Sequence, residues 1–213
     1  MKKIYSLATI MFFALSAQAQ VTLGLRGGAN LSSITHNSEY SENPKFKFGA
    51  TGGVYATIAV NKNFAIQPEL LYTSQGYKRK ESYNIGLTLK DNFSLKTDYL
   101  SLPILAKYKL DNGVVFELGP QVSYLLGGQV NQIIDIKNDK GIVETLSQRI
   151  YLNDVDTTHD FDFAGVVGVG YQIKGGYSIN ARYTYGFTSF VKNEDLKVRN
   201  QYFSLSVGIP FTK

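Results

Sequence analysis

The chain has 213 residues, a formal net charge of +5 and no cysteine. The absence of cysteine excludes a fold held together by disulfides, and so small a positive excess does not favour nucleic acid as a partner.

The amino terminus predicts export. Met1, Lys2 and Lys3 precede an apolar run over 4–15, and Ser16-Ala17-Gln18-Ala19 follows with the small residues of a cleavage site. This is the pattern of a signal peptide, 1–19, with cleavage before Gln20. The apolar run is shorter than the roughly 20 residues that a membrane-spanning helix needs. The remainder, 20–213, is predicted to be one β-barrel domain.

Eight segments of the remainder alternate bulky apolar residues with small or polar ones. Successive side chains of a β-strand point to opposite faces, so this period of two predicts strands. In chain order the strands are predicted at Val21–Asn30, Phe46–Val60, Phe64–Thr73, Asp98–Leu110, Val114–Leu126, Asp160–Ile173, Tyr177–Phe187 and Gln201–Phe211. Because the last strand ends near the carboxyl terminus, we expect no peptidoglycan-binding domain.

Short and long connections between these strands strictly alternate. Three turns, 61–63, 111–113 and 174–176, are rich in the asparagine, aspartate and glycine that tight hairpins need. Four polar connections, 31–45, 74–97, 127–159 and 188–200, are long. This order predicts an all-β, eight-stranded, up-and-down antiparallel transmembrane barrel with its turns at one end and its loops at the other. Within the third loop, 130–137 and 142–152 are predicted to form a hairpin.

The two faces of the strands predict the orientation of the barrel wall. With three-residue turns, Val60 faces Phe64, Leu110 faces Val114 and Ile173 faces Tyr177, which keeps apolar residues on one face through each hairpin. That face carries almost no charge, as lipid requires. The polar face is therefore predicted to fill the lumen, and a soluble barrel with an apolar interior is the rejected alternative.

Charged residues on the polar face predict a lumen network. The turn register places Lys107 directly opposite Glu117, within reach of a charge-assisted bond. We predict that this pair joins Arg26, Glu69 and Arg182 in a structural network. An eight-stranded barrel is narrow enough for side chains to fill it, so a wide aqueous channel is not expected.

Aromatic residues gather at both ends of the apolar face and predict two interfacial girdles. Pro68, Pro103, Pro120 and Pro210 fall inside predicted strands. Because proline cannot donate a ladder hydrogen bond, we expect bulges or lost bonds at these positions.

No residue pattern predicts catalysis, a metal or a cofactor. His36 and His159 lie in loops without a recognisable nucleophile, and 154–160 lacks the glycine and terminal glutamate of a calcium loop. The basic cluster Lys78, Arg79 and Lys80 in the second loop is the candidate surface contact, with lipopolysaccharide phosphates as its ligand.

Several motifs resemble the PorT-like outer-membrane β-barrel proteins of Bacteroidota, often named the porin family. The resemblance covers nearly all of 20–213 and is carried by 24–32, 67–72, 99–103, Lys107-Tyr108, 119–126 and 181–187. It implies an outer-membrane location, strand prolines as a family trait and no catalytic residues. One branch of the family takes part in type IX secretion, and nothing in the sequence selects that branch.

Together these observations predict a non-enzymatic outer-membrane barrel with periplasmic termini and extracellular loops. Its expected role is structural or surface-interacting, and the alternatives are a narrow porin or small-solute transporter and an accessory component of type IX secretion. Expected partners are outer-membrane lipid and lipopolysaccharide, the barrel-assembly machinery and an envelope or surface protein, which could pair with strand edges of the third-loop hairpin.

Overall fold

The computed structural model describes residues 21–35, 44–84, 87–138, 141–152, 158–192 and 197–211. Nine strands lie in these ranges: β1 (Val21–Thr35), β2 (Lys45–Ala59), β3 (Phe64–Asn84), β4 (Thr88–Lys109), β5 (Val114–Asn138), β6 (Gly141–Tyr151), β7 (Phe161–Gln172), β8 (Ser178–Gly186) and β9 (Arg199–Pro210). Over the same ranges, no helix has the length and hydropathy to cross a membrane. The predicted signal peptide and His36 lie outside the described residues.

Eight of the strands close into an antiparallel barrel. Neighbours pair in the order β1, β2, β3, β4, β5, β7, β8 and β9, and β9 returns to pair with β1. The strand β6 is not part of this ring, because it pairs only with the distal half of β5, from Gln129 to Asn138. The predicted eight-stranded barrel is confirmed, and the predicted third-loop hairpin corresponds to distal β5 and β6.

Backbone hydrogen bonds confirm the predicted register of the three short turns. The amide nitrogen of Val60 donates to the Phe64 carbonyl oxygen at 2.9 Å, and that of Leu110 donates to Val114 at 2.8 Å. The third turn repeats this bond between Ile173 and Tyr177 at 3.0 Å. These turns mark the turn end of the barrel, and the opposite end is the loop end.

The prediction of a long loop over 74–97 is wrong. The strands β3 and β4 continue past the barrel and stay paired from Ser74↔Asp98 to Asn84↔Thr88. With distal β5 and β6 they form a four-stranded sheet, here called the sheet extension, over 76–84, 88–97, 128–138 and 141–151. Because both faces of this sheet carry polar residues, the alternation that marks a lipid-facing strand is absent there.

The barrel wall separates apolar and polar residues as predicted. On the outside, Leu102, Ile104 and Leu205 are exposed, and so are aromatic rings at both ends of the wall. On the inside, Glu69 and Glu117 are only 2% and 1% exposed. The polar face therefore fills the lumen, and the apolar face is the outer surface.

The strand prolines interrupt pairing without changing its register. The β2–β3 ladder skips the positions around Pro68, the β3–β4 ladder skips those around Pro103, and the β4–β5 ladder skips those around Pro120. In each case the register is the same on both sides of the gap. The expected interruption is observed at these three prolines, whereas Pro210 stays paired with Gly24. The bulges lie elsewhere, for example between Asp98 and Tyr99.

An apolar cluster covers the loop end of the lumen. It contains Ile34 of β1, Leu95 of β4, Leu152 after β6, and Phe190 and Val198 between β8 and β9. Rings and aliphatic side chains of the sheet extension, Tyr77, Phe93 and Val130, pack against it. The extension therefore helps to close the barrel and is not a free-standing hairpin.

A glycine in β1 makes room for a ring in the lumen. A Cβ atom added at Gly24 would lie 2.3 Å from Cζ of Tyr55 and 2.6 Å from the backbone oxygen of Ile209, whereas one at Gly27 would meet nothing within 4 Å. We predict that Gly24→Ala lowers the free energy of unfolding by about 1–3 kcal/mol because the site is already filled. The matched Gly27→Ala should change it by less than about 0.5 kcal/mol. Urea unfolding of the barrel in lipid vesicles measures both, and equal effects would contradict this account.

Candidate functional site

The lumen brings together the five charged residues predicted from the sequence. Arg26 lies on β1, Glu69 on β3, Lys107 on β4, Glu117 on β5 and Arg182 on β8. Each occupies an inward position of its strand, and each is at most 9% exposed. Cross-strand pairing places Lys107 directly opposite Glu117, and Glu117 opposite Gly168 of β7.

Arg182 is the centre of this network. Its Nη1 and Nη2 atoms donate to the two carboxylate oxygens of Glu69, both at 2.8 Å. Its Nε atom donates to Oε2 of Glu117 at 2.6 Å. Bidentate, charge-assisted bonds of this kind are strong and directional. One guanidinium therefore ties β8 to two carboxylates on other strands of the barrel wall.

The two remaining cations flank the carboxylates. Nε of Arg26 lies 3.2 Å from Oε1 of Glu69, and Nζ of Lys107 lies 3.3 Å from Oε1 of Glu117. The Arg26 guanidinium also stands over the ring of Tyr55, 5.5 Å from its centroid. The network thus holds three cations and two carboxylates.

Neutral residues complete the network, and the sequence placed them on the polar face without assigning them to it. Gln67 accepts a bond from Nζ of Lys107 at 2.9 Å and donates to Glu69. Asn180 donates to Glu117 at 2.9 Å and accepts from Nη1 of Arg26 at 3.0 Å. The alternation along each strand was the signal that could have found them. It places both amides on the inward face, where only lumen groups can be their partners.

Polar side chains also fill the lumen between this network and the apolar cluster. The Tyr202 hydroxyl donates to Gln121 at 3.2 Å, and Asn200 donates to Asp162 at 2.9 Å. Tyr99 is 1% exposed within this layer. In the described part of the chain, the lumen is therefore closed by three successive layers of side chains.

The structure separates the three basic residues that the sequence grouped on a loop. Lys78 and Lys80 are exposed on one face of β3, whereas Arg79 points to the other. There Nε of Arg79 lies 3.0 Å from Oε1 of Glu81, and its guanidinium lies 5.3 Å from the centroid of the Phe93 ring. Adjacent residues of a strand face opposite ways, so Arg79 does not share a face with Lys78 and Lys80.

Lys78 and Lys80 instead share a face with basic residues from other strands. Pairing of Gly76 with Lys96, Lys78 with Ser94, Lys80 with Asn92 and Ser82 with Lys90 places four lysines on one side of β3 and β4. We call this the basic face, and it comprises Lys78, Lys80, Lys90, Lys96 and, across β5, Arg149. Two carboxylates share that side: Asp98 pairs with Lys96 at 3.0 Å, and Asp135 accepts a bond from Thr145.

Of the remaining chemistry candidates, His36 and residues 154–157 lie outside the described residues. The backbone of His159 donates to the Phe190 carbonyl oxygen at 2.9 Å. Within the described ranges, no three histidine, cysteine, aspartate or glutamate side chains are grouped as metal ligands would be.

Comparison with known proteins agrees with the fold. A family model described as an outer membrane protein beta-barrel domain matches residues 16–192. No curated protein matches the chain. Among solved structures, the chain is similar to Neisserial surface protein A, with 15% identity, 90% of this chain and 99% of that chain covered, and a TM-score of 0.49.

Two further structures have lower similarity. The attachment invasion locus protein Ail of Yersinia pestis, solved with the heparin analogue sucrose octasulfate, has 13% identity, covers 90% and 99% of the two chains and has a TM-score of 0.42. CarO of Acinetobacter baumannii has 10% identity, covers 86% and 97%, and has a TM-score of 0.42.

The network should be far more important for stability than ion pairs outside the lumen. We predict that Arg182→Met lowers the free energy of unfolding by about 3–5 kcal/mol, because it leaves Glu69 and Glu117 buried without their main partner. The same replacement at Arg79, whose ion pairs are partly exposed, should cost less than about 1 kcal/mol. Urea titration in lipid vesicles compares them, and a loss of similar size in the two variants would refute the ranking.

Proposed function

This chain belongs to the outer membrane protein beta-barrel domain family, and we propose that within it the protein is a PorT-like, non-enzymatic barrel that acts through its surface. The single observation that carries the proposal is the basic face of the sheet extension, which stands beyond the apolar wall at the loop end. We propose that this end is extracellular and that the turn end and both termini are periplasmic, the usual arrangement of short turns and long loops.

The filled lumen supports a surface role over transport. The network of Arg26, Glu69, Lys107, Glu117 and Arg182, the amide and hydroxyl layer and the apolar cluster occupy successive levels of the barrel. A narrow barrel with this interior has no continuous aqueous path. A narrow pore for small solutes remains the alternative function. An accessory role in type IX secretion is not supported by any residue that the structure describes.

The position of the basic face favours the phosphates of lipopolysaccharide as its ligand. Lys96 lies four residues along β4 from Leu100, which is exposed on the apolar wall, so the basic face begins where the wall ends. Lys78, Lys80 and Lys90 continue it away from the wall. Phosphates and lysines attract as point charges at such a boundary, by about 1 kcal/mol per lysine.

The exposure of these lysines supports the same ligand. Lys78 and Lys80 are exposed, whereas the neighbouring Arg79 has carboxylate and ring partners on the opposite face. The ammonium group of an exposed lysine can exchange water for a phosphate without breaking a protein contact. An anionic surface above the bilayer is therefore a better fit than a protein partner that must match shape.

The first test compares single charge removals on the two faces of β3. Lys80→Gln should weaken binding of detergent-dispersed lipopolysaccharide to the purified barrel about fivefold, which corresponds to about 1 kcal/mol. Arg79→Gln removes the same charge from the opposite face and should leave affinity unchanged. Dephosphorylated lipopolysaccharide should bind all three proteins weakly. If Arg79→Gln weakens binding as much as Lys80→Gln, the basic face is not the binding site.

The second test concerns transport. We expect the reconstituted protein to give no steady conductance in a planar bilayer, because three layers of side chains cross the lumen. A stable conductance that increases with salt concentration would favour the narrow-pore alternative instead. Heat-dependent migration on gels, measured on the same preparation, establishes that the silent protein is folded.

A further inference from the structure

The lumen contains a cavity at the turn end that the surface role does not use. It has a volume of about 250 Å³ and opens between the start of β1, the end of β9 and the β7–β8 turn, where Thr22, Pro210 and Gly176 line it. Tyr55, Thr57 and Ser178 form its walls, and Gln67 and Lys107 belong to its lining. We call this cavity the vestibule. A water molecule takes about 30 Å³ of liquid, so a small hydrated solute fits.

Lys107 brings a buried positive charge to the vestibule. Its ammonium donates to Oε1 of Gln67 at 2.9 Å and pairs with Oε1 of Glu117 at 3.3 Å. A lysine has three N–H donors, and within the described ranges the third meets no acceptor. The side chain keeps 11% of its surface exposed, and Lys107 is a lining residue of the vestibule.

The charge balance of the network points to the same kind of ligand. Within the network, Arg26, Lys107 and Arg182 carry three positive charges against two on Glu69 and Glu117. A third buried carboxylate of the lumen, Asp162, lies in the next layer, where Asn200 and Thr188 donate to it. Arg26 Nη2 is buried and has no hydrogen-bond partner among the described residues. An excess cation in a poorly solvated site is costly unless it is neutralised.

The walls of the vestibule suit an oxyanion. The hydroxyl of Tyr55 and the side chains of Thr22 and Gln172 add O–H and N–H donors around the opening. The lining residues include no aspartate or glutamate. A small anion that enters from the turn end would therefore meet several neutral donors and one ammonium, which is already paired with Glu117 at 3.3 Å.

From these observations we propose that the vestibule binds a small oxyanion, of the phosphate or carboxylate class, against Lys107. The site lies at the opposite end of the barrel from the basic face. Anion binding at this site can therefore be tested independently of lipopolysaccharide binding. Bound anion neutralises the excess charge of the network, which links occupancy at the turn end to the stability of the lumen.

Calorimetric titration of the folded barrel in neutral detergent tests the proposal, with inorganic phosphate and acetate as separate probes at constant ionic strength. Lys107→Met removes the ammonium, and Lys62→Met removes the same charge from an exposed turn at the same end. Thr22→Trp fills the vestibule and leaves the network residues in place. Heat-dependent gel migration checks that each variant is folded.

We expect saturable binding of at least one probe to the wild type and to Lys62→Met, and affinity at least tenfold lower in Lys107→Met and Thr22→Trp. The probe that binds identifies the oxyanion class. Absence of saturable binding to the wild type, or equal affinity in all four proteins, would overturn the proposal. If Lys107→Met does not fold, Thr22→Trp against Lys62→Met decides.

Discussion

The interior of this barrel depends on one buried arginine. Arg182 donates to both oxygens of Glu69 and to one of Glu117, so three strands that are not consecutive in the chain share a single guanidinium. An ion pair of this kind contributes less net stability than its short bonds suggest, because burying the charges opposes it. Its larger effect is on specificity, since a strand shifted by one residue would place a charge against lipid.

The different environments on the two faces of the barrel wall explain most of the remaining architecture. Lipid outside requires that every backbone group pair within the wall, which a closed ring of strands achieves. Three strand prolines, Pro68, Pro103 and Pro120, cost ladder positions without changing register, which shows that the ring tolerates local gaps when the flanking pairs are intact. Inside, polar side chains satisfy one another, and the apolar cluster around Leu95 and Phe190 excludes water from the loop end.

The sequence was sufficient for the barrel because lipid imposes a strict pattern. Bulky residues alternate with small or polar ones in every ring strand, and three short turns set the register that pairs Lys107 with Glu117. Beyond the wall that constraint ends. The sheet extension carries polar residues on both faces, so Tyr77, Arg79 and Glu81 alternate with lysines and serine in a way that is also typical of a polar loop.

The same loss of pattern explains why the sequence groups the three basic residues into one cluster. Three consecutive basic residues look like one patch if they lie on a loop, but on a strand the middle one faces away. Only cross-strand pairing could associate Lys80 with Lys90 and Lys96, which lie ten or more residues away in the chain. The sequence likewise could not assign Gln67 and Asn180 to the network, because a neutral amide has no charge from which a partner can be predicted.

Among the residues that the structure describes, the sheet extension rises from one side of the ring, on β3, β4 and β5, with β6 at its margin. The opposite strands, β7, β8 and β9, end near the wall, at Phe161, Gly186 and Arg199. The protein consequently has a front and a back within the plane of the membrane. Rotation of the protein about the membrane normal therefore changes the surface that a neighbouring protein contacts. A neighbour on the front contacts the charged sheet extension, and one on the back contacts the apolar wall.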